Sequence, residues 1–100
     1  MFIAMNRFRI AKGREAEFEK IWRERDSQLD DVPGFREFHL LRGESDAEST
    51  LYSSHTVWDS REAFEAWTKS ENFRKAHEQA RAPQGTYLGH PRFEGFEVIL

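Results

Sequence analysis

Residues 2–10, FIAMNRFRI, place apolar side chains on both faces of one strand. Alternation puts Phe2, Ala4, Asn6, Phe8 and Ile10 on one side, and Ile3, Met5, Arg7 and Arg9 on the other. A strand of this kind belongs in a sheet that is covered twice. One hundred residues supply helices for one face only, so a second copy of the chain is expected on the other. Asn6 is the one polar side chain in its row. A buried amide left without a partner costs about 1–3 kcal/mol, so Asn6 either bonds nearby backbone or is held for a ligand.

The remaining elements follow in order. Arg14 to about Leu29 reads as a helix whose inner stripe is Phe18, Ile21, Trp22, Arg25 and Leu29. Asp30-Asp31-Val32-Pro33-Gly34 ends it. Phe35–Leu41 and Thr50–Trp58 read as strands joined by a polar hairpin loop over 43–49, and Phe93–Leu100 as a last strand. Residues 82–91 form a ten-residue loop, long for a compact domain and of the length used for lids and binding loops. His39 and His55 lie on facing strands, where a metal pair is conceivable but lacks a third ligand, and ordinary sheet positions are the simpler reading. The order β-α-β-β-α-β, with the second helix split, defines an α+β ferredoxin-like fold with an antiparallel sheet, one domain over 1–100.

Composition excludes several functions. Fifteen basic and eighteen acidic side chains give a net charge of −3, without a Lys/Arg cluster, which argues against nucleic-acid binding. The absence of Cys excludes disulfides and thiolate metal or haem sites. No run approaches membrane-spanning length, and Asn6 and Arg7 interrupt the apolar start too soon for a signal peptide. A cytoplasmic protein without a membrane partner is expected.

Chemistry concentrates between Trp58 and Arg81. Asp59 or Ser60 caps a helix, and Glu62 completes a capping box if Asp59 is the cap. Ala63, Phe64, Ala66 and Trp67 recur at helical spacing, and Lys69-Ser70-Glu71-Asn72 reads as a second cap. Phe73, Ala76, His77 and Ala80 then share a stripe. In one unbroken helix Trp67 and His77 would stand about 15 Å apart along the axis and roughly 80° around it. A kink at Ser70 turns both toward one cavity. An imidazole flanked by small residues suits iron and lets a flat macrocycle approach. Spacing alone favours a histidine bonded to a backbone carbonyl or stabilised by the helix C-terminus, and a helical Trp is ordinarily core.

This stretch resembles the IsdG-type haem-degrading monooxygenases, a branch of the antibiotic-biosynthesis-monooxygenase-like dimeric α+β barrels. The residues that carry the resemblance are Thr56-Val57-Trp58, Ser60, Ala63-Phe64, Trp67, Ser70, Phe73 and Ala76-His77, with Asn6 near the N-terminus. The resemblance implies a homodimer that binds haem as both substrate and cofactor. His77 would ligate the iron, Trp67 and Phe73 would contact the porphyrin, and Asn6 would bond the oxygen species. It further implies dioxygen, an external electron donor such as a reductase, and release of iron with a linear tetrapyrrole. Arg7, Arg9 and Arg92 are cations available to the haem carboxylates. Two other functions stay open: a cofactor-independent monooxygenase of quinols or aromatics, with His77 as proton acceptor, and a haem-binding protein without turnover.

Overall fold

The inward row of the first strand is buried as its alternation requires. Phe2, Ala4, Phe8 and Ile10 are all core residues of β1 (Phe2–Ala11). The structure, a computed structural model, describes residues 1–25, 29–79 and 82–100. After β1 come α1 (Glu15–Glu24), β2 (Phe35–Ser45), β3 (Ser49–Trp58), α2 (Arg61–Thr68), α3 (Glu71–Gln79) and β4 (Arg92–Glu97). The sheet is antiparallel throughout, in the order β2-β3-β1-β4. This is the ferredoxin-like arrangement with a split second helix. No described helix is long and apolar enough to cross a membrane.

Two hydrophobic clusters sit between sheet and helices. Phe2, Ala4, Leu29, Trp58 and Trp67 form one, and Phe8, Ile10, Phe18 and Tyr52 the other. Along β1 the gap between them falls at Asn6, and on β3 at its register partner Ser54. The helices divide in the same way. Phe18 and Trp22 of α1 close on Phe8, while Phe64 and Trp67 of α2 close on Trp58. A cleft is left over the polar pair.

Several boundaries differ from the sequence reading. The first helix stops at Glu24, not Leu29, because Arg25 adopts an extended backbone with φ −72° and ψ 150°. The part of that expected helix over 26–28 lies outside the described residues, as does Ala80 of the His77 stripe. Leu29 is nevertheless buried. β2 runs on to Ser45, four residues past the expected Leu41, and Asp46 closes the hairpin by accepting from the backbone N–H groups of Glu48 and Ser49. The last strand ends at Glu97, after which Val98 N–H donates to Met1 O. The loop at 82–91 is tied to β1 by an isolated bridge between Ile10 and Tyr87.

Ser60, not Asp59, caps α2: its hydroxyl accepts from Ala63 N–H at 3.1 Å, and Asp59 instead pairs with Arg36. The turn before this cap approaches the preceding loop closely at Gly34. Its φ of +83° favours glycine, and a Cβ there would stand 2.5 Å from the Ala63 Cβ. Gly34→Ala is therefore expected to lose about 1–3 kcal/mol of stability by overpacking alone, read as a lower urea midpoint at unchanged slope.

Candidate functional site

The break between α2 and α3 shapes the site. Ser70 Oγ accepts from Phe73 N–H at 3.2 Å, so it caps the new helix, and its own O–H donates to the Trp67 carbonyl. One serine thus ends one helix and begins the next. The resulting bend brings the Trp67 and His77 ring centres to 6.2 Å, with Phe73 between them at 4.8 Å from Trp67 and 3.9 Å from His77. The kink at Ser70 does what the sequence pattern suggested.

His77 is held in one tautomer. Its Nδ1 lies 2.8 Å from the Phe73 carbonyl oxygen. A carbonyl only accepts, so Nδ1 carries the proton and donates, which leaves the Nε2 lone pair free. Metal-ligating histidines are commonly oriented by such a bond. The carbonyl bond and the free ligand nitrogen, which the sequence left as alternatives, coexist here.

Trp67 is both core and wall. It is buried and packs on Trp58 at 5.3 Å between ring centres. Trp58 satisfies its indole N–H on Thr56 Oγ1. The buried indole N–H of Trp67 has no partner among the described residues.

Two adjoining cavities lie in the cleft. The smaller, about 140 Å³, is bordered by Asn6, Ser54, Trp67, Phe73, His77 and Phe93. The larger, about 440 Å³, shares Asn6, Ser54 and His77 with it and extends over Trp22 and Phe38 to Tyr87 of the loop. Asn6, Trp67, Phe73 and His77, drawn from β1, α2 and α3, therefore meet at one space. An apolar lining with few convergent polar groups is what a site for a flat organic ligand requires.

Among the described residues, the cation at this space is none of the three arginines that the sequence brought forward. Arg7 is on the opposite face of the sheet, paired with Glu94. Arg9 shares that face by alternation, and Arg92 is the register partner of Arg7. Arg25 instead borders the larger cavity. Its guanidinium carbon stands 4.0 Å from the Trp22 ring centre and 5.4 Å from that of Phe38. Burial lowers its pKa from the ordinary arginine value, and Tyr87 opposes that in part. It stays cationic all the same. The hint in the sequence was a charge on an otherwise apolar helical stripe. His90 of the loop also borders this cavity and went unremarked in the sequence.

Residues 1–79 match the family described as antibiotic biosynthesis monooxygenase, and the chain belongs to that family. Within it the similarity runs to the IsdG-type haem-degrading branch. A crystallised mutant of MhuD, with two manganese protoporphyrin IX molecules per active site, is 31% identical with a TM-score of 0.79, over 100% of this chain and 96% of that one. MhuD from Mycobacterium tuberculosis with two haems in its active site is 29% identical, TM-score 0.77, over 100% and 97%. A haem oxygenase (staphylobilin-producing) of Staphylococcus haemolyticus (strain JCSC1435) is 28% identical over 78 residues, 78% of this chain and 74% of that protein. SnoaB, a cofactor-independent oxygenase from Streptomyces nogalater, shares the fold at 22% identity and a TM-score of 0.70, over 99% and 93%.

Proposed function

We infer that this protein is a haem-degrading monooxygenase acting through one domain. The observation that supports this best is the free Nε2 of His77, fixed by the Phe73 carbonyl, at a cavity that Asn6 and Trp67 also border. The residues present fit haem. An imidazole nitrogen is presented for iron, the walls are aromatic, and Arg25 supplies a cation for a ring carboxylate. Haem, when bound, supplies the iron that activates dioxygen and is itself the substrate oxidised.

The chain's own contributions follow from its geometry. His77 Nε2 would hold the haem iron, and the Nδ1–H bond to the Phe73 carbonyl keeps the ring from rotating away. Trp67, braced from behind by Trp58, would pack against the porphyrin. The Asn6 amide N–H would be the hydrogen-bond donor that the first strand supplies to the cleft, where haem would activate dioxygen. Trp22 and Phe38, stacked at 13° between their planes, exclude water from one side. Dioxygen and electrons from an external donor complete the reaction, with iron and a linear tetrapyrrole as products. A second copy of the chain covers the sheet face opposite the helices, where Phe96 is 46% exposed and Leu41 41% exposed. The cytoplasm is the proposed compartment.

The test is a haem titration of the purified protein, then ascorbate under air with an iron chelator present. Loss of the main haem band with iron capture supports the reading. A stable band means a haem carrier, and no haem binding means a cofactor-independent oxygenase of quinols, with His77 as proton acceptor. Three variants refine it. Asn6→Ala is expected to retain haem but turn over about 10²-fold more slowly, the low end of the cost of one donor at a reacting oxygen. Trp67→Phe is expected to bind haem in a flatter form and turn over more slowly. Arg25→Ala is expected to weaken haem binding about 10-fold, in line with one charge-assisted hydrogen bond.

A further inference from the structure

Ser54 stands opposite Asn6 and shares its place in the cleft, yet the haem reading gives it no task. The two are register partners on β3 and β1. Tyr52 and Thr56, two residues to either side on β3, are buried toward the helices. Tyr52 packs on Phe18, and Thr56 accepts from the Trp58 indole N–H. Alternation sets Ser54 in their row, but it is only half-buried, as Asn6 is between Ala4 and Phe8. Among the described residues that border the two adjoining cavities, Asn6, Ser54 and His77 are the three common to both. A carboxamide and a hydroxyl thus stand side by side where the cavities meet. Trp22 and Phe38 wall one cavity, and Trp67 and Phe73 the other.

We propose that Asn6 and Ser54 together bind one ordered water at this junction, and that Ser54 is the residue that positions it. The spacing suits a bridge. Directly opposed residues on antiparallel strands have Cβ atoms about 4.5–5.5 Å apart, and a water about 2.8 Å from each polar atom spans such a gap. An internal water is held by about three hydrogen bonds. The amide supplies donors and an acceptor, and the hydroxyl acts as either. The ring faces around them offer no comparable partner, so the water has one place to settle. Its part in turnover rests on the haem reading. With haem activating dioxygen in the same space, the water would supply a donor whose protons exchange with solvent, and Ser54 would act through it as a positioning residue. The water site itself needs no haem.

The experiment therefore begins on the haem-free chain, labelled with ¹⁵N, by measuring NMR cross-peaks between water and the side-chain amide protons of Asn6. The wild type is expected to show a long-lived water contact there. Ser54→Ala is expected to lose it, and Ser54→Thr, which keeps the hydroxyl, to retain it. The backbone amide spectrum checks that both variants are folded. In the haem-loaded chain, Ser54→Ala is expected to bind haem as the wild type does and to turn over about 10–100-fold more slowly with ascorbate, the range for an outer-shell partner at a metal site. Ser54→Thr is expected to restore the rate. A water contact that survives Ser54→Ala, unchanged turnover, or weakened haem binding in that variant would overturn the proposal. So would a wild type without the water contact, which would mean that the two side chains bond directly. Failure of the wild type to bind haem would overturn the haem reading instead, and the Asn6 cross-peak would still decide whether the pair holds a water.

Discussion

Replacing His77 with alanine is expected to abolish iron ligation while leaving the fold in place. The side chain is exposed and its one hydrogen bond among the described residues runs to a carbonyl four residues back in its own helix, so little tertiary packing depends on it. Substitutions at such positions usually change stability by no more than about 0.5 kcal/mol. The loss in haem affinity is expected to exceed the roughly 10–100-fold typical of outer-shell partners, because the ligand itself is gone. Turnover with ascorbate falls with it. The discriminating readout is the absorption spectrum of the bound haem: added imidazole is expected to restore the wild-type band in the variant. A variant that binds haem with the wild-type spectrum and affinity would return His77 to the role of a helix-end histidine.

Phe18→Ala is expected to cost the most stability of any single truncation in the first helix, about 3–5 kcal/mol. Phe18 is 0% exposed and meets four aromatic rings, with centres at 4.8 Å from Tyr52, 5.6 Å from Trp22, 5.8 Å from Tyr87 and 6.1 Å from Phe8. No smaller side chain fills the volume left among them. Set against a total of about 5–15 kcal/mol for a domain of ordinary stability, the loss places the variant near unfolding. Urea denaturation followed by tryptophan fluorescence measures it. The same truncation releases the anchor that sets Trp22 and Arg25 over the larger cavity, so haem affinity is expected to fall even where the variant remains folded. A loss below about 1 kcal/mol would mean that α1 is not docked through Phe18.

The sequence was most legible where the controlling interaction is local. Alternation along β1 separated Asn6 from Arg7, and a serine between two helical stripes marked the bend at Ser70. Both depend on groups within a few residues of one another. Periodicity was less dependable at element ends. Phe18, Ile21, Trp22, Arg25 and Leu29 fit one helical stripe, yet the backbone leaves the helix at Arg25, and Leu29 is buried in the other cluster. A pattern of apolar residues reports which side chains are buried, and two different backbones can bury the same ones. The choice between Asp59 and Ser60 as cap turned on a distant partner, since Arg36 engages Asp59.

The amino-acid sequence by itself determined the order of elements, the break in the second helix and the polar residue in the first strand. All three follow from propensity, capping and side-chain alternation, which act over one or two turns of chain. Tertiary structure alone decided that Arg25, not Arg7, Arg9 or Arg92, reaches the cavity. It also decided that Trp67 and His77 meet at 6.2 Å. Those outcomes depend on the register between strands and the angle between helices, which are set by packing among residues far apart in the chain.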